Sequence, residues 1–295
     1  MKKKIVFRGV ATALVTPLKD GKIDFASLGN IIDLQLKSGI DALVIGGTTG
    51  EASTLSDEER IMLFEYAKDK VKDSVPLIFG TGSNSTKKAL EYTKIAASIG
   101  ASAALVVTPY YNKGTEDGII NHYFEIANCS DLPIILYNVP GRTGVNLSLS
   151  AVMTLSSHEN IIGIKEASDS IDRLTSLATI GEDMTIYSGN DSQIYTTLAL
   201  GGLGVISVAS NIIPDKLINL TREYLYGNKE TALTVQKQLL PFIGALFAET
   251  NPTPIKYAMS LLGLCSEQMR LPLSPPRDST KALIESELKK TGLLF

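Results

Sequence analysis

Eight short apolar runs, each followed by a stretch of different periodicity, constrain this chain more than any other feature. They cover residues 10–15, 42–45, 77–79, 103–107, 134–136, 161–164, 185–187 and 205–208. Their starts lie about 20 to 35 residues apart, room for one strand and one helix each. The intervening segments, such as 25–37, 57–71 and 87–99, repeat apolar residues with the 3.6 period of a helix. Ser56 followed by Glu59 reads as a capping box that starts the second helix. Continuous apolar strands separated by helices imply a parallel sheet covered on its outer face.

The predicted fold class is therefore α/β, a (β/α)8 TIM barrel; a doubly wound open sheet is the alternative. Residues 1–225 are expected to form the barrel. Residues 226–295 are expected to form a C-terminal helical extension, with helices near 229–247, 254–264 and 280–290 after one at 215–226. At 295 residues the chain has room for one such barrel.

Composition excludes several functions. Net charge is −3, there is no tryptophan, and aromatic residues make up 6%. No nucleic-acid partner is expected from such a chain. Cys129 and Cys265 are far apart, and His122 and His158 fall in no metal-binding spacing. Neither a Walker loop nor a GxGxxG fingerprint occurs. Lys2–Lys4 imitates the start of a secretory signal, but Arg8 interrupts the apolar run. No run approaches the ~18 apolar residues of a membrane span. A reducing, cytoplasmic setting without membrane insertion is expected.

In a parallel barrel, chemistry gathers where strands end. Here those ends read Gly47-Thr48-Thr49-Gly50-Glu51, Thr108-Pro109-Tyr110-Tyr111, Tyr137-Asn138-Val139-Pro140-Gly141-Arg142, Lys165-Glu166 and Ser188-Gly189-Asn190-Asp191. Lys165 continues a core strand with no turn residue between. Held among apolar groups, its amine would lose solvation and become a nucleophile toward a carbonyl. It could equally snorkel, or pair with a carboxylate such as Asp191. Tyr137, ending the preceding strand, could carry protons to and from that amine or be an ordinary core tyrosine. The Gly-Thr-Thr-Gly segment could hold a carboxylate on backbone N–H groups or be a tight turn, and Thr48 could hydrogen-bond a tyrosine. Arg142 suits bidentate carboxylate recognition or a surface ion pair. Together these residues point to a small keto acid whose ketone meets Lys165.

Seven segments in order resemble the dihydrodipicolinate synthase (4-hydroxy-tetrahydrodipicolinate synthase) family. That family lies in the pyruvate-dependent class I aldolase superfamily, which includes N-acetylneuraminate lyase. The segments are GTTGE (47–51), GTGSN (80–84), TPYYNK (108–113), YNVPGRTG (137–144), IIGIKEAS (161–168), YSGND (187–191) and GVISVAS (204–210). The resemblance implies condensation of pyruvate with L-aspartate 4-semialdehyde through a lysine Schiff base, a step of diaminopimelate and lysine biosynthesis. It implies Lys165 as the imine-forming residue, Tyr137 as the central proton carrier and Thr48 as its relay partner. Tyr111 would complete the relay in a neighbouring subunit. Thr49 would bind the pyruvate carboxylate and Arg142 that of the semialdehyde, with Gly189 and Ile206 lining the pocket. No metal or organic cofactor is implied, and a homo-oligomer is expected, a tetramer built as a dimer of dimers.

Departures from the family pattern carry their own expectations. Gly114 stands where proline is frequent. Positions that bind inhibitory lysine in some relatives correspond here to Asp57, Arg60 and Lys88. Lys88 would repel a ligand's ammonium group, so weak or absent inhibition by lysine is expected. The alternatives are a lyase for N-acetylneuraminate or 2-keto-3-deoxy sugar acids, a phosphate-binding isomerase using Gly201–Gly204, and a catalytically silent keto-acid binding protein.

Overall fold

A computed structural model describes residues 3–294. Eight parallel strands close into a barrel: β1 (Gly9–Ala13), β2 (Ala42–Ile45), β3 (Leu77–Gly80), β4 (Ala103–Val107), β5 (Ile134–Asn138), β6 (Ile161–Glu166), β7 (Thr185–Ser188) and β8 (Gly204–Ser207). Each strand pairs with the next in sequence, and β1 closes the ring on β8 through Val10 opposite Val205. The strands match the eight apolar runs to within two residues at each end. A short antiparallel ribbon, Leu18–Lys19 with Lys22–Ile23, follows β1 and carried no clear sequence signal.

Barrel helices cover the sheet: α1 (Phe25–Ser38), α2 (Asp57–Val71), α3 (Thr86–Ile99), α4 (Glu116–Asn128), α5 (Leu149–Ser156), α6 (Ile171–Ala178), α7 (Ile194–Ala199) and α8 (Pro214–Tyr226). The capping box on α2 is formed in both directions: the Glu59 N–H donates to the Ser56 hydroxyl, and the Ser56 N–H donates to the Glu59 carboxylate. Three further helices follow, α9 (Lys229–Leu246), α10 (Thr253–Leu261) and α11 (Asp278–Lys290). Among the described residues no helix is long and apolar enough to cross a membrane.

Alternation along each strand divides the core in two. On β5, Ile134 and Leu136 face outward into the layer under the helices, while Ile135 and Tyr137 face the barrel interior. The outer layer is the larger cluster and is rich in Leu, Ile and Val. The interior also holds small residues, Ala11 and Ala13 from β1, Ala42 from β2 and Ala103 from β4. Phe7 stacks on Tyr187 with ring centroids 4.2 Å apart and accepts the Tyr187 hydroxyl at its carbonyl, filling that space with an aromatic pair.

Candidate active site

β5 and β6 place the two central groups side by side. Tyr137 and Lys165 are direct register partners. Lys165 Nζ lies 4.4 Å from the centroid of the Tyr137 ring. Both side chains are buried, with 7% and 5% of their surface exposed. One register step further, the Asn138 side-chain amide donates to both Glu166 carboxylate oxygens at 3.0 Å. Glu166 also accepts the Ser168 N–H and lies 3.4 Å from Arg173 Nε. This outward-facing clamp locks the two strand ends and fixes the register that brings lysine to tyrosine.

Two adjoining cavities meet at Tyr137. A cavity of about 400 Å³ contains Lys165, Thr49, Gly189, Asp191 and Asn251 in its walls. A second, of about 330 Å³, is lined by Thr48, Tyr110 and Arg60 among others. Tyr137, Val139 and Arg142 line both and form the shared wall. Thr48 and Tyr137 therefore share a cavity, but among the described residues no direct hydrogen bond joins their hydroxyls.

The Gly47–Glu51 turn is wound tightly. The N–H groups of Gly50 and Glu51 donate back to the carbonyls of Gly47 and Thr48. The N–H groups of Thr48 and Thr49 have no protein acceptor among the described residues, which leaves two donors for an anionic ligand. The Asn251 side-chain amide donates to Thr49 Oγ1 at 2.9 Å, so the threonine keeps its own proton to give. The Asn251 carbonyl accepts from Arg142 Nη2 at 2.9 Å. One residue, sited just before α10, thus holds both groups expected to bind carboxylates. Nothing in the sequence marked Asn251, since it interrupts no motif and lies outside the strand–helix alternation.

A second tie joins the same turn to the C-terminal helices. Glu51 is buried, with φ +55°, and accepts from Lys256 Nζ at 2.5 Å. Lys256 also donates to the Thr16 carbonyl, and the Arg270 N–H donates to the other Glu51 oxygen.

Asp191 is 1% exposed and accepts the Val208 and Ala209 N–H groups on one oxygen. Its other oxygen has no partner among the described residues. Burial raises its pKa, opposed by these hydrogen bonds, by one from Ser207 and by the charge of Lys165. Among the described residues no ion pair joins Lys165 to Asp191, so the sequence alternative of a paired structural lysine is not the observed geometry.

Gly189 lines the Lys165 cavity, and a Cβ there would lie 3.1 Å from Lys165 Cε and 2.5 Å from Ala167 Cβ. Only glycine lets the chain leaving β7 pass this close to the lysine stem. Ile206 is fully buried in the barrel interior and is not among the cavity-lining residues; Val208, two positions on, is. Tyr111 is 88% exposed, at φ +72°, and lines neither cavity. Gly202 and Gly204 serve close packing: a Cβ would meet the Thr197 carbonyl at 2.7 Å and the Gly9 carbonyl at 2.0 Å respectively.

Fold and site together define a (β/α)8-barrel enzyme with a buried lysine–tyrosine centre at the C-terminal ends of its strands. The sequence profile of the dihydrodipicolinate synthetase family matches residues 6–291, and the chain belongs to that family. The 4-hydroxy-tetrahydrodipicolinate synthase of Alkaliphilus oremlandii is 47% identical over 290 residues, covering 98% of this chain and all of that one. The crystal structure of dihydrodipicolinate synthase from Thermotoga maritima superposes with a TM-score of 0.96 at 42% identity, covering 98% of this chain and 100% of that one. A structure described as the first monomeric dihydrodipicolinate synthase variant superposes equally well, with a TM-score of 0.96, 42% identity and 98% coverage of both chains.

Proposed function

We propose that this chain is a 4-hydroxy-tetrahydrodipicolinate synthase that condenses pyruvate with L-aspartate 4-semialdehyde in lysine and diaminopimelate biosynthesis. The observation that carries the reading is the buried Lys165 nitrogen 4.4 Å from the Tyr137 ring, inside a cavity that also holds Thr49. Pyruvate places its carboxylate on the Thr49 hydroxyl and the free N–H groups of the Gly47–Glu51 turn. The Lys165 amine adds to the ketone, and water leaves the carbinolamine as the imine forms. Tyr137 supplies and removes protons in these steps, with Thr48 as its relay partner. Loss of a methyl proton gives an enamine, the imine nitrogen having taken up the electron pair. The enamine carbon attacks the semialdehyde, whose carboxylate meets Arg142. The amine of the joined product then displaces Lys165 and closes the ring. Gly189 keeps the path of the lysine stem open, and Ile206 supports the barrel interior beneath the site.

On this reading the barrel, residues 1–225, supplies the reacting groups, and the extension, 226–295, holds them through Asn251. Tyr111 works in a neighbouring copy, which explains a bulky aromatic left exposed in a left-handed backbone conformation. The working unit is then a homo-oligomer, a tetramer built from two such dimers. Free Cys129 and Cys265 suit a reducing cytoplasm. The test is pyruvate consumption by purified protein with and without L-aspartate 4-semialdehyde. Consumption that needs the aldehyde and disappears in Lys165→Ala is expected. Consumption without aldehyde dependence, or in the variant, overturns the reading.

A further inference from the structure

Strand β6 does not alternate regularly. Its pairing with β5 runs Ile161 opposite Ile134, then Gly163 opposite Ile135, Ile164 opposite Leu136 and Lys165 opposite Tyr137. Ile162 is the extra residue, a β-bulge. The side chains record the consequence. Ile161 faces the outer layer, Ile162 the barrel interior, Ile164 the outer layer again. Strict alternation from Ile162 would have turned Ile164 inward and Lys165 outward under the helices. Instead Gly163 absorbs the extra step, and Lys165 turns in toward Tyr137.

Gly163 is the residue that permits this. A Cβ at 163 would lie 2.8 Å from the Thr185 carbonyl oxygen and 3.3 Å from Thr185 Cβ. Thr185 is the register partner of Gly163 on β7, so the obstacle is the backbone of the next strand and cannot swing aside. Upstream, Ile161 and Ile162 are both buried and fixed in opposite layers.

We propose that Gly163 is a positioning residue: it accommodates the bulge that reverses the face of β6 and so aims the Lys165 amine into the barrel. This rests on Lys165 as the imine-forming residue. A β-branched residue at 163 removes the bulge by steric conflict with Thr185. The strand then either pairs regularly from Ile161, which sends Lys165 to the outer layer, or is held away from β7, which displaces the amine.

Two variants separate aim from stability. Gly163→Val keeps the residue count and opposes the bulge. Deletion of Gly163 shortens the strand by the one residue that the bulge adds, so Ile161, Ile162, Ile164 and Lys165 alternate out, in, out, in without any bulge. Each is purified, its thermal unfolding midpoint is measured, and it is treated with pyruvate and borohydride. The reduced adduct on Lys165 is then quantified by peptide mass, and kcat and KM for pyruvate are determined. Wild type must form the adduct; failure there counts against the Schiff-base reading itself. With wild type positive, folded Gly163→Val is expected to lose at least about 100-fold in kcat and to form little adduct. The deletion variant is expected to form the adduct readily. Gly163→Val that traps pyruvate as wild type does overturns the proposal. If that variant does not fold, a folded deletion variant decides: adduct formation supports the proposal, and its loss overturns it.

Discussion

Tyr137 and Lys165 are register partners across β5 and β6, with the lysine nitrogen 4.4 Å from the phenol ring centroid. In the proposed mechanism the Tyr137 phenol serves this nitrogen through successive proton transfers. Tyr137→Phe keeps the ring and the packing but removes the hydroxyl. It is expected to lower kcat about 10²- to 10⁴-fold while leaving the thermal unfolding midpoint near wild type. Steady-state kinetics beside a melting curve checks this, and an unchanged kcat would remove Tyr137 from the proton path.

Tyr111 lies outside both cavities of its own chain, and the proposed function has it act in a neighbouring copy. Tyr111→Phe alone and Lys165→Ala alone are each expected to be poorly active. Unfolded together and refolded as a mixture, they form hetero-oligomers in which an intact Tyr111 serves an intact Lys165. Activity of the mixture above the mean of the two variants is expected. A strictly additive mixture would show that Tyr111 does not act in trans.

Lys256 and Glu51 form a fully buried ion pair, 0% and 1% exposed at the side chain. Removing one partner leaves the other charge stranded away from water. Lys256→Met is expected to destabilise the fold by about 3–5 kcal/mol, and Lys256→Met with Glu51→Gln by clearly less. Denaturant unfolding of the three proteins measures the difference.

Lys88 donates to Asp57, and the same carboxylate accepts the Tyr92 hydroxyl. The hydrogen bonds from Lys88 and Tyr92 hold the Asp57 carboxyl below its usual pKa. Arg60 packs over the Tyr92 ring at 4.2 Å. Two cations and an acid already engaged offer little to an incoming ammonium group. L-lysine at about 1 mM is expected to leave the rate unchanged, whereas half-inhibition below that level would contradict the expectation.

His122 is buried on α4, with Nδ1 at 2.9 Å from the Thr86 hydroxyl and Nε2 lacking a partner among the described residues. Burial lowers its pKa from 6.5 to about 4. The unfolded chain thus takes up this proton at a higher pH than the folded one does. The stability this neutral histidine allows is full above pH 6.5 and is lost as pH falls toward 4, in all about 3 kcal/mol. His122→Gln is expected to flatten the fall in unfolding free energy across that window. A curve as steep as wild type would assign the acid sensitivity elsewhere.

Legibility differed between elements for physical reasons. The eight strands announced themselves because each is buried on both faces and must be apolar throughout, and the α2 capping box because its bonds are local. Lys165 and Tyr137 were visible as polar residues in line with core strands. Their mutual approach was expected on condition that both point inward; parity counted along β6 does not meet that condition for Lys165, and the bulge at Ile162 does. Asn251, Lys256 and Arg270 were silent, since each acts on residues about 200 positions away. Ile206 is placed within the barrel interior, beside and not in the cavity wall, a depth that strand periodicity does not encode.

Sequence by itself determined the barrel, the order of its strands and the rim where polar groups collect, because apolar periodicity and strand-end chemistry are local properties. Tertiary structure alone decided which of those groups meet. Register between β5 and β6, the bulge that Gly163 permits and the ties from the C-terminal helices depend on contacts between distant segments, and no local pattern carries them.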